Sequence, residues 1–85
     1  MPELCRFLGM VVTMYSNDHP PPHFHVRCGG HEAKFLLDGP LYEGSLPRRK
    51  RKLVRKWARL HEDELAACWD RASRRQPPGT IDPLP

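Results

Sequence analysis

No apolar run in the sequence approaches the roughly 20 residues that a membrane-spanning helix needs, so no transmembrane segment and no membrane partner are expected. No charged stretch followed by an apolar one opens the chain, so no signal peptide is expected either. Cysteine is scarce. Cys5, Cys28 and Cys68 are odd in number and widely spaced, and no C-x-x-C occurs. This argues against a disulfide framework or a cysteine zinc site and fits a cytoplasmic protein with reduced thiols. Aromatic residues are only 8% of 85 residues, and there is no room for two domains. One domain of this length buries roughly 60–65% of its unfolded surface, so its core is modest.

What is plentiful is proline and positive charge. Fourteen Lys and Arg face ten Asp and Glu, a formal net charge of +4. That balance permits a nucleic-acid or acidic partner. The ten prolines punctuate the chain. Pro20-Pro21-Pro22 separates two apolar stretches, Pro40 and Pro47 bracket a short connector, and Pro77, Pro78, Pro83 and Pro85 mark a tail. Residues 1–75 read as a single α+β domain. Residues 76–85 lack periodicity and read as an extended or disordered tail.

Before Pro47 the apolar residues alternate or form short runs, which predicts four strands: Leu4–Leu8, Met10–Ser16, His23–Cys28 and Glu32–Leu37. Gly29-Gly30 is a two-residue hairpin signal. With those glycines as the turn, Phe24 opposes Phe35 and Val26 opposes Ala33 on an apolar face. His25 opposes Lys34 and Arg27 opposes Glu32 on the reverse face. After Pro47 the period becomes helical. Ser45 serves as N-cap, Pro47 fits a first turn, and one long helix runs from Arg48 to Ser73. Its apolar stripe collects Leu53, Val54, Trp57, His61, Leu65, Cys68, Trp69 and Ala72. His61 is expected as a buried, hydrogen-bonded core residue. The expected fold is a small antiparallel sheet of about four strands packed against one C-terminal helix.

With Pro21-Pro22-His23-Phe24-His25-Val26 in place, the chain resembles the bacterial family known as domain of unknown function 4160. Tyr15-Ser16-Asn17, the P-P-H-x-H-V element, Glu32-Ala33-Lys34-Phe35 and the late pattern Leu60-His61, Glu64-Leu65, Trp69 carry the resemblance. It spans roughly Phe7 to Trp69. It implies no catalytic residues. Members are often encoded beside another small protein in arrangements like toxin–antitoxin pairs, which implies a cognate small protein as partner. The strongly basic first half of the helix departs from the mixed or acidic charge expected there.

Two functional faces follow from the residues. His23 and His25 leave the same face of one strand. With Arg27, Glu32 and Lys34 they resemble the equipment of a metal-independent ribonuclease: imidazoles to move protons and cations to stabilise phosphate. The same two imidazoles could share a metal with His19, His31 or Glu32 as third ligand. Lys34 and Arg27 place fixed positive charge beside them, so no metal and no cofactor is expected. Structural hydrogen bonding near the Pro-rich turn is the simpler role. The second face is Arg48, Arg49, Lys52, Arg55, Lys56 and Arg59 on the helix. Cations in first turns oppose the helix dipole and repel one another, with Arg59–Asp63 the one evident compensating pair. Phosphate contacts with RNA or DNA would account for them. The main expectation is therefore a non-enzymatic interaction module, with the ribonuclease as the alternative. Strand two is apolar on both sides, at Val11, Thr13 and Tyr15 as well as Met10, Val12 and Met14. That second side must meet a loop, the tail, a second subunit or a partner; a protein–protein contact is favoured, with a homodimer expected unless the cognate partner is present.

Overall fold

The computed structural model describes residues 3–85. Four of the strands form in the predicted strand regions before Pro47. β1 (Glu3–Phe7) and β2 (Met10–Thr13) are joined by Leu8 and Gly9, both at positive φ, 50° and 78°. Such a turn has the twist that a two-residue hairpin requires. β3 (His23–Cys28) and β4 (His31–Leu36) flank Gly29-Gly30. Their register is the expected one, with Phe24 opposite Phe35, His25 opposite Lys34, Val26 opposite Ala33 and Arg27 opposite Glu32.

A fifth strand, β5 (Leu41–Gly44), corrects the expected count of four. It lies inside the connector bracketed by Pro40 and Pro47 and pairs with β4, placing Glu43 opposite Lys34. All four of its residues are exposed, so it carries no alternation to read. Gly44 ends it at φ 86°, where a Cβ would collide with the Glu32 carbonyl. The sheet is an antiparallel meander in chain order, β1 to β5.

The single long helix is also corrected. Two helices form, α1 (Arg48–Leu60) and α2 (Glu62–Ser73). The N-cap of α1 is Pro47, with no side-chain cap, rather than Ser45. His61 interrupts the helix at φ −124° and ψ 26°. Its N–H donates to the Ala58 carbonyl, a tightened last turn, while its carbonyl accepts from Leu65 N–H and starts the next helix. Glu62, Asp63 and Glu64 then fill the first turn of α2, where the dipole favours negative charge. His61 is half-buried, beside Trp57 at a ring distance of 5.6 Å, and its Nδ1 lies 2.6 Å from Glu64 Oε1.

The core lies between one sheet face and the helices. Met10, Val12, Phe24, Val26, Ala33 and Phe35 meet Val54, Trp57, Ala58, Leu65, Cys68 and Ala72. Trp57 is fully buried against Phe7 and Phe24, at ring distances of 5.8 Å and 5.6 Å. Burial of a ring that size is worth roughly 4–6 kcal/mol before entropy is subtracted. The stretch from residue 76 to 85 has no helix or strand, yet it is packed. Ile81 is buried and its N–H donates to Leu4 O, while Asp82 O accepts from Trp57 Nε1 at 2.8 Å. Among the described residues no helix is long and apolar enough to cross a membrane.

Candidate functional site: a histidine–aspartate cluster and a basic helix face

Period-2 geometry sends Phe24 and Val26 into the core and His23 and His25 out of the opposite face. Those histidines are nevertheless buried, at 3% and 9% exposure. The β2–β3 loop covers them. Asn17 adopts φ 54°, a conformation asparagine tolerates, and its N–H donates to Ala72 O in α2, which anchors the loop. Tyr15 then sets its ring edge-on to His25, with centroids 4.5 Å apart, and Trp69 flanks His23 at 5.4 Å. On the second side of β2, Thr13 is buried and Val11 and Tyr15 are half-buried.

The next loop residue, Asp18, reaches both imidazoles. Its Oδ2 lies 3.0 Å from His23 Nε2 and 3.1 Å from His25 Nε2. His25 Nε2 donates to it. His23 Nε2 is close but off the line of a hydrogen bond and has no partner, and His25 Nδ1 is buried without one too. His23 Nδ1 donates to Pro21 O at 2.7 Å. Burial pushes the Asp18 carboxyl up. The hydrogen bonds from His25 and from the His19 N–H, with the pull of both imidazoles, outweigh that and hold it below its usual range.

Asp18 was not among the residues that sequence reasoning selected. It belongs to an irregular loop, so no period ties it to the histidines, and its spacing to His23 carries no motif. The third ligands considered from sequence lie elsewhere. His19 is exposed in the loop, and His31 and Glu32 are exposed toward the far end of the β3–β4 hairpin.

The five residues of the ribonuclease reading are divided. A groove of about 240 Å³ is lined by His25, Glu32, Lys34 and Glu43, with Ala33 and Gly44. His23 does not line it, and Arg27 is exposed beyond it. Lys34 Nζ is 3.8 Å from Glu43 Oε1, so this cation faces a carboxylate.

The basic face of α1 is intact. Arg48, Arg49, Lys52, Arg55, Lys56 and Arg59 are all exposed. At about 100° per residue they fall within an arc of roughly 120°. Lys50 and Arg51 point elsewhere: Lys50 Nζ donates to Leu8 O at 2.6 Å, and Arg51 is half-buried. Lys52, Arg55, Lys56 and Arg59 line a groove of about 430 Å³ with Leu60. None of the six makes an ion pair among the described residues. The expected Arg59–Asp63 pair does not form, because the break at His61 ends the i,i+4 geometry between them.

A family model described as domain of unknown function (DUF4160) matches residues 9–70. The chain belongs to this family. The match takes in β2 to β5, α1 and most of α2, and with them Asp18, His23, His25 and the whole basic face. DUF4160 membership fixes no activity. No curated protein and no solved structure matches the chain.

Proposed function

We propose that this DUF4160 protein is a non-enzymatic interaction module of a toxin–antitoxin-like pair, engaging a cognate small protein and contacting RNA or DNA phosphates through α1. The observation that supports the nucleic-acid contact is the set of six exposed cations on one arc of α1 that no carboxylate neutralises among the described residues. Holding them there costs stability through the dipole and mutual repulsion, and polyanion binding offsets that cost. No aromatic lies on the face, so the contacts are to backbone phosphate and tolerant of sequence.

The ribonuclease alternative has weaker support. Its groove sets the two carboxylates Glu32 and Glu43 against the single cation Lys34, a lining that repels phosphate. Both imidazoles turn their Nε2 atoms to Asp18, and His23 is closed to solvent, so no accessible acid–base pair opens on the groove.

Fluorescence anisotropy with labelled single-stranded RNA and duplex DNA tests the proposal. Weak, sequence-tolerant binding is expected that falls by about 10³-fold between 50 and 200 mM salt if all six cations contact phosphate. Replacing Lys52, Arg55, Lys56 and Arg59 together by Glu abolishes it with an unchanged circular dichroism spectrum. Retained binding in that variant, or salt-independent binding in the wild type, refutes the proposal.

A further inference from the structure

The cluster under the β2–β3 loop has a bonding pattern that hydrogen bonds alone do not complete. Pro21 O can only accept, so His23 Nδ1 carries a proton. In a neutral ring Nε2 then bears a lone pair. That lone pair sits 3.0 Å from a carboxylate oxygen, which offers only lone pairs in return. A charged ring would donate to Asp18, but Nε2 is off the line and left without a partner in a side chain only 3% exposed. Two acceptor atoms held this close call for a cation between them.

The geometry points to a binding site for a divalent transition-metal ion of the zinc class, ligated by Asp18 Oδ2, His23 Nε2 and His25 Nε2. All three atoms lie within 4.8 Å of one another. Ligands at about 2.0–2.2 Å from one ion stand roughly 3–3.5 Å apart, and Asp18 Oδ2 is 3.0 Å and 3.1 Å from the two nitrogens. His23 already has the outer hydrogen bond that metal-bound imidazoles use, from Nδ1 to a backbone carbonyl. Two nitrogens and one oxygen suit zinc, iron(II) or cobalt(II) better than calcium or magnesium. Three protein ligands leave a coordination position for water, and Asp18 retains 20% side-chain exposure.

Positive charge nearby does not prevent this. Lys34, cross-strand from His25, is paired with Glu43, and Arg27 projects to solvent. Binding takes the proton from His25 Nε2, because a ligating imidazole nitrogen must offer its lone pair.

The test uses the full chain, stripped with a chelator and titrated with Co²⁺ and then Zn²⁺. One Co²⁺ per chain with visible d–d bands is expected, displaced by Zn²⁺, together with a rise in Tm on adding Zn²⁺. Asp18→Asn and His25→Ala each weaken Co²⁺ binding at least about tenfold. Asp18 lies in a loop and is partly exposed, so Asp18→Asn remains interpretable if His25→Ala melts early. No d–d bands in the wild type overturn the proposal. So do unchanged affinity in Asp18→Asn, or a thiolate charge-transfer band, which would place the ion on a cysteine such as Cys28, opposite His31.

Discussion

Single residues in this protein answer to burial before they answer to sequence neighbours. Cys5 in β1 shows it most plainly. Burial, with the Glu3 carboxylate adding to it, pushes its thiol from 9.0 up to about 11. A raised value means that the folded state holds the proton longer than the unfolded chain does. The associated stability is fully present below pH 9.0 and is lost as pH rises through about 11. The loss amounts to at most about 2–3 kcal/mol. Wild-type Tm should therefore fall more steeply across that window than the Tm of Cys5→Ala, even though the variant starts lower because of its cavity. Parallel curves for the two proteins would show that the thiol does not titrate against folding. His23 and His25 carry the same lesson at the site. Alternation along β3 placed both on the non-core face, and that was legible from sequence. Their burial was not, because it depends on a loop anchored through Asn17 to Ala72 of α2. Asp18 stayed invisible for the same reason: a residue delivered by tertiary anchoring has no period.

Elements were legible where a local rule was obeyed and illegible where two rules met. The Gly29-Gly30 turn sits between strands of clean alternation, so register followed from the turn alone. β5 has no buried residue, so alternation could not reveal it. At His61 the apolar stripe continued, while the acidic triplet Glu62-Asp63-Glu64 marked a new N-terminus. The charges and backbone divided the helix while the stripe ran through both halves. The start of α1 shows the opposite arrangement, with no acid in its first turn and no side-chain cap. Reversing Arg48 and Arg49 to Glu should therefore raise stability by about 0.3–1 kcal/mol per site at low ionic strength, since both positions face water and the dipole. Urea denaturation at low and high salt checks this, with the gain expected to shrink as salt rises. The same variant should bind nucleic acid more weakly. Gain in stability paired with loss of binding is the signature of a face kept basic for its partner. A double variant less stable than wild type would show that the arginines support the fold in some other way.

At the scale of the whole molecule, β1 and the 76–85 stretch together close the core. β1 is an edge of the sheet, and the 76–85 stretch occupies part of that edge through Ile81 N–H to Leu4 O. Arg71 reinforces the return, donating from Nη2 to Pro78 O at 2.6 Å. Trp57, at the centre of the core, has the Asp82 carbonyl as acceptor for its indole N–H. Removing residues 76–85 takes away the buried Ile81 side chain, worth about 2–5 kcal/mol. It also removes the acceptor for Trp57 Nε1, where a buried unpaired donor costs about 1–3 kcal/mol. Total stability for a chain of this length is only about 4–13 kcal/mol. The truncated protein should thus lie close to its unfolding threshold, with a Tm lower by at least about 10 °C and red-shifted tryptophan emission. Ile81→Ala in the full chain should give an intermediate loss, because the acceptor for Trp57 remains. The six cations of α1 and the Asp18 cluster lie outside the deleted stretch. Nucleic-acid binding measured well below the truncated protein's Tm should therefore persist, which separates a structural tail from a functional one. Equal melting temperatures for the 85-residue and truncated chains would instead mean that the stretch only rests on the core.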